Sequence, residues 1–322
     1  MYDRTVKSMP ITHRRPFRFA VQVSKAASSK AWRELAKKVE GLGYDTIYVP
    51  DHLDDQFAPL VAVAVAAEAT STVRVGTLVL DNDFRHPVVL AKEAATLDLL
   101  SEGRFELGLG AGWMKSDYAA SGIEMIPPSS RIERLAESLS IMRSLWSSGR
   151  ATLHGRYYDV DNAIGSPAPF SDGGPSVLIG GGGKRILGLA SREADVVGIV
   201  PSLAEGFVGP KTAASAIADR FYERLEWVRD AAGSRFDQLD LQCLTMVVQV
   251  VENGSEARAA LAPIFGFTEE QFATVPVALI GSASEIAETL HERREEFGLN
   301  FVVIHEGEME AFARIANELS GR

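Results

Sequence analysis

Asp51 and His52 close a short apolar run, Thr46–Pro50 (TIYVP). A carboxylate beside an imidazole at a strand end can orient the ring, and an imidazole exchanges protons near neutral pH. The pair reads equally as a loop cap and a surface histidine. Gly108, Gly110 and Gly112 stand in LGLGAGW, where missing side chains let backbone approach a ligand. This is not the dinucleotide fingerprint: the third glycine falls one place early, and no acidic strand end follows about 20 residues on. Gly180, Gly181, Gly182 and Gly183 precede Lys184 and Arg185. A glycine turn that opens a helix offers free N–H groups and a positive dipole end to a phosphate. It lacks the Lys-Ser/Thr ending of a P-loop, and a bare tight turn is the alternative. No histidine and cysteine spacing suggests a metal site, so no metal is expected, and no Gly-x-Ser-x-Gly elbow supports nucleophilic hydrolysis. The single cysteine, Cys243, lies in a strand-like run and reads as a small core residue.

These residues need elements to hold them. Strand-like and helix-like segments alternate from Phe17 to the end. Strands are expected at Phe17–Gln22, Thr46–Pro50, Arg74–Leu80, Arg104–Leu109, Ser176–Ile179, Val196–Val200, Leu239–Val251 and Phe301–Ile304. Between them, helical spacing of apolar residues marks Trp32–Leu42, Leu60–Ala69, Val88–Leu100, Ile132–Trp146, a stretch from the glycine turn to about Arg192, and Ala213–Ala231. A less regular helical stretch covers Ser255–Thr274, and Met309–Leu319 is the last helix. Ser282 and Glu285 form a capping box for a helix ending near Phe297, with Gly298 closing it. Continuously apolar strands point to a parallel sheet covered on both faces. Eight such units predict a single α/β (β/α)8 TIM barrel, with an open doubly wound sheet as the competing architecture. The loop-rich Gly149–Pro175 reads as an insertion before strand five that lies at the catalytic mouth. In such barrels chemistry sits at the C-terminal ends of the strands, which is where the candidate residues fall.

Composition limits the functions. The chain has 322 residues, 46% apolar and 24% charged, with a formal net charge of −10. An acidic surface repels phosphate backbones and anionic membranes, so neither a nucleic acid nor a membrane is an expected partner. One cysteine excludes a disulfide framework. Residues 1–16 form a polar, basic leader with Arg4, Lys7, Arg14 and Arg15, and no apolar stretch follows as in a signal peptide. The barrel is expected over 17–322, in a cytoplasmic protein.

Several stretches together resemble the luciferase-like oxidoreductases, and within them the branch that depends on coenzyme F420, an 8-hydroxy-5-deazaflavin. They are GLGYDTIYVPDH (Gly41–His52), RVGTLVL (Arg74–Leu80), RHPVVLAKEAATLDLLSEGRFELGLGAGW (Arg85–Trp113), RIERLAESLSIMRSLW (Arg131–Trp146), VLIGGGG (Val177–Gly183) and ADVVGIV (Ala194–Val200). The resemblance implies an oxidoreductase that moves a hydride between the deazaflavin and an unidentified small organic substrate. It places Asp51 and His52 beside the ring, with His52 as acid or base. It places Leu78-Val79 at a non-proline cis peptide that backs the ring. Gly108 to Gly112 would border the cofactor, and Gly180 to Gly183 would hold its phosphate. Related sugar-phosphate dehydrogenases carry a glutamate after the strand-four glycines; here Trp113 stands there, which suits an apolar substrate pocket or plain packing. FMN, with a monooxygenase activity, is the alternative cofactor, and a catalytically silent cofactor-binding barrel is the alternative of another class. Relatives also imply a homodimer, for which apolar Leu60–Ala69 offers a face.

Overall fold

The computed structural model describes residues 15–322, so the expected leader lies almost wholly outside the described residues. Eight strands form the frame: β1 Arg18–Gln22, β2 Thr46–Val49, β3 Arg74–Thr77, β4 Phe105–Gly110, β5 Ser176–Gly181, β6 Val196–Ile199, β7 Asp240–Leu244 and β8 Leu299–His305. Each pairs in parallel with the next, and β1 pairs with β8 from Arg18↔Phe301 to Gln22↔His305. The ring therefore closes as a (β/α)8 barrel, as the alternation predicts. All four residues of β2 and all six of β4 are buried, which explains why these strands show no polar alternation.

The period of two along each strand sorts side chains between two cores. Ala20, Tyr48, Leu178, Val196, Phe301 and Val303 fill the barrel interior with Leu78, Val79 and Leu244. A larger layer, which includes Phe19, Ile47, Leu107, Ile179 and Phe312, packs between strands and helices. At the N-terminal end Arg18 closes the interior. It reaches Asp45 at 2.7 Å, Asp240 at 3.0 Å and Glu106 at 3.3 Å, and Glu106 also accepts the Tyr48 hydroxyl. The opposite end is left for the site.

Several expected boundaries change. The third strand stops at Thr77, the Leu78–Val79 peptide is cis, and Leu80–Asp81 resumes beside the end of β4. The expected strand Leu239–Val251 divides: Val247–Val250 leaves the barrel and pairs with Ala278–Gly281, a strand the sequence reading omits. Apolar periodicity cannot tell a barrel strand from one in a second, two-stranded sheet. The helix expected at Ala213–Ala231 is two, Pro210–Ala214 and Ala218–Ala232. The insertion before β5 contains an antiparallel hairpin, Arg150–His154 with Asp159–Ile164. Its tip reaches the mouth end, where the Tyr158 hydroxyl accepts from Asn82 Nδ2 (3.4 Å) and Arg134 Nε (3.2 Å). The Ser282–Glu285 capping box and the positive φ of Gly298 are as expected. Among the described residues no helix is long and apolar enough to cross a membrane.

Candidate active site

The chain turns off β2 through Pro50, Asp51 and His52, and the two candidate residues part company. Asp51 is buried and takes both terminal nitrogens of Arg85, with Nη2 to Oδ1 at 2.9 Å. It also accepts the Asp81 N–H at 2.9 Å. His52 instead places Nδ1 2.8 Å from Asp117 Oδ2, while Asp117 Oδ1 accepts the Leu53 N–H at 3.3 Å. The expectation that Asp51 and His52 orient each other is therefore corrected: neighbours at a strand end project to different sides, and each finds a distant partner. A carboxylate only accepts, so the proton belongs on Nδ1, and Nε2 is the atom left to take or give one. The Trp113 ring stands edge-on to His52, centroids 5.5 Å apart at 90°. The Trp113 ring thus packs beside the imidazole.

The glycines after β4 have a local purpose that spacing alone does not reveal. A Cβ at Gly108 would lie 1.8 Å from the Thr77 carbonyl oxygen and 3.2 Å from Val79 Cγ1. One at Gly110 would lie 2.8 Å from Val79 Cγ2, and Gly180 faces Val79 at 3.4 Å. The inner faces of β4 and β5 are thus emptied so that Leu78–Val79 can fold in over them. Gln22 Nε2 donates to the Leu78 carbonyl at 3.1 Å and holds that segment from the other side. Gly112, with φ +72, closes over Asp81 and Tyr118; a side chain there would meet the Tyr118 hydroxyl.

The second glycine turn divides by position. Gly181 makes room for Ile186, and a Cβ at Gly182 would stand 2.6 Å from the Val200 carbonyl oxygen. Gly183 has nothing within 4 Å. It is the N-cap of the helix Lys184–Glu193, with no side chain capping the first turn. With no side-chain cap, the first-turn N–H groups are the kind of donors an anion site uses. Arg224 lies behind the turn, donating to Gly182 O (3.1 Å) and Ser215 O (2.9 Å). Burial draws its guanidinium down to about 10. Arg185 turns away to Glu133 at 2.9 Å.

Sequence reasoning reached Arg85 and Asp117 only as parts of mouth segments, Leu78–Arg85 and Trp113–Pro128, without naming a role, and it missed Arg224 and His305. His305 ends β8 on the same face as Val303, with Nε2 3.1 Å from the Thr245 carbonyl oxygen. The strand-end rule alone would have selected it. For the other three no local pattern announces the pairing, since each is a charged residue whose partner lies elsewhere in the chain.

Residues 9–300 match the family described as luciferase-like monooxygenase. An F420-dependent glucose-6-phosphate dehydrogenase of Amycolatopsis mediterranei is 35% identical over 170 residues, 50% of this chain and 50% of that one. One from Nakamurella multipartita is 32% identical over 235 residues, 70% of this chain and 66% of that one. The chain thus spans about half to two thirds of the length of these curated relatives. A coenzyme F420 dependent tetrahydromethanopterin reductase from Methanopyrus kandleri superposes with a TM-score of 0.73 at 16% identity, covering 94% of this chain and 99% of that one. An F420-dependent secondary alcohol dehydrogenase, in complex with an F420-acetone adduct, gives 0.73 at 19% identity, covering 95% and 99%. At those identities the structures speak for the fold.

Proposed function

Because this chain belongs to the luciferase-like monooxygenase family, we propose that it is an oxidoreductase that uses coenzyme F420 to oxidise or reduce a small organic substrate at the barrel mouth. One observation carries this reading: an oriented imidazole and an open, uncapped glycine turn lie at the same end of one barrel. The F420 dependence in the names of the relatives supports the choice of deazaflavin. The site fits such a group. The first turn of Lys184–Glu193 would hold its phosphate, and Leu78–Val79 over the glycine-emptied wall would back a flat ring. When bound, the deazaflavin supplies a ring that carries hydride and reacts poorly with oxygen. His52 Nε2 moves the proton at the substrate oxygen, Asp117 fixes the imidazole's tautomer, and Trp113 excludes water on one side. Trp113 offers no acid, so the sugar phosphate of the named relatives is not carried over to this pocket.

The test is Gly183→Asp. Aspartate is a better N-cap than glycine by a few tenths of a kcal/mol, so the melting temperature should hold or rise slightly. A carboxylate over the first-turn N–H groups should repel a phosphate, and affinity for F420 should fall about 10–100-fold by fluorescence titration. Unchanged affinity would remove the glycine turn from the cofactor site. Tight binding of FMN with weak binding of F420 would overturn the choice of deazaflavin.

A second copy of the chain is the proposed partner. Apart from the exposed Glu68, the helix Pro59–Ala69 is built of apolar residues, and its Val61 is 68% exposed. A helix this apolar favours a covered setting for its exposed face. Sedimentation should give a dimer, and Val61→Glu should shift it to monomer. A monomeric wild type would refute the pairing.

A further inference from the structure

Tyr118 adjoins the carboxylate that orients His52, and its own hydroxyl ends between two buried acids. The side chain is 3% exposed, with Oη 3.0 Å from Asp83 Oδ2 and 3.3 Å from Asp81 Oδ1. A phenol has one proton to donate, so it satisfies one of them at a time. Asp83 has a cation: Arg134 Nη1 lies 3.4 Å from its Oδ1. Arg131 stands over the Tyr118 ring at 5.5 Å. Among the described residues no ion pair joins Asp81 to a cation. Its Oδ1 takes the Asp83 N–H at 2.9 Å, while the nearby Arg85 is consumed by Asp51. The charged and titratable groups around Asp81 are thus Asp83 on its own segment, Asp51 and Arg85 beside it, Tyr118 on the helix Lys115–Ser121, and Arg131 and Arg134 on the helix Pro128–Ser148.

We propose that Tyr118 is a positioning residue, whose hydroxyl passes the protonation state of the Asp81–Asp83 pair to His52 through the short helix it shares with Asp117. The proposal rests on His52 being the proton-transfer group of the reaction above. Burial, together with the charges of Asp83 and Asp51, raises the Asp81 carboxyl to about 6. Below that pH Asp81 is neutral, and the phenol donates to Asp83 without competition. Above it, two anions contest one phenolic proton. The contest changes the pull on Tyr118, which shares the helix Lys115–Ser121 with Asp117. Gly112 packs directly on this pair: a Cβ there would lie 2.0 Å from Tyr118 Oη and 2.4 Å from Asp81 Oδ2.

The experiment needs neither cofactor nor substrate. In the full chain, the His52 ring resonances are followed by NMR from pH 5 to 8 in wild type, Tyr118→Phe and Asp81→Asn. The wild-type curve should require two ionisations, one being that of Asp81 near 6. Both variants should reduce it to one, although neither replaced group touches His52. Phenylalanine keeps the ring packing, and should Tyr118→Phe fail to fold, Asp81→Asn carries the same expectation. A wild-type curve with one ionisation, or a variant that melts lower yet keeps both, would overturn the coupling. Because no cofactor is present, failure here is distinct from failure of the F420 reading.

Discussion

His52→Ala should lower turnover by about 10²–10⁴-fold, the usual worth of a positioned proton-transfer group. The imidazole sits at the end of β2, and Asp117 leaves its Nε2 as the working atom. Oxidising a hydroxyl requires a base for its proton as the carbon gives up hydride; the reverse requires an acid. The ring beside His52 is that of Trp113, which cannot exchange a proton at neutral pH. Cofactor affinity should change far less, because the proposed phosphate grip lies after β5, on the other side of β3 and β4. Asp117→Asn should produce a smaller loss, since the imidazole remains but its tautomer is no longer fixed. Turnover of His52→Ala within tenfold of wild type would show that His52 packs against the ring and moves no proton.

The barrel was legible because burial on both faces makes its strands continuously apolar. Capping chemistry was legible where it is local, as at Ser282–Glu285 and Gly298. The hairpin at Arg150–Ile164 was not, because its strands are largely exposed and carry little apolar pattern. The site was legible in its residues but not in its pairings. His52 and Asp117 are 65 positions apart, and Asp51 and Arg85 are 34 apart. Spacing offered only the adjacent Asp51 as a partner for His52. The cis peptide at Leu78–Val79 was reached through family resemblance, as no residue-level pattern announces it. The glycines show a subtler limit. Their type announces close approach, but not by what: at Gly108 and Gly110 it is Thr77 and Val79, at Gly182 the Val200 carbonyl, and only Gly183 faces open space.

Arg85→Met should cost about 3–5 kcal/mol of folding stability, which would make Asp51 a structural residue rather than a partner in proton transfer. The Asp51 side chain is 3% exposed, and Arg85 meets both of its oxygens. Methionine preserves most of the apolar stem but none of the charge, so the variant leaves a buried carboxylate that, among the described residues, keeps the Asp81 N–H as its donor. Removing one member of a buried pair costs more than the pair is worth, because the survivor still bears its desolvation penalty. Asp51→Asn in the same chain removes that charge while its side-chain oxygen still accepts from Asp81. The double variant should therefore recover much of the loss, and the two substitutions should couple by about 0.5–3 kcal/mol in a denaturation cycle. Simple additivity, or a single-variant loss below about 1 kcal/mol, would contradict a desolvated pair. The cycle also separates the roles at the end of β2. Asp51→Asn, measured per folded molecule, should retain far more turnover than His52→Ala, because Asp51 spends its oxygens on Arg85 and the Asp81 backbone and has none directed at the imidazole.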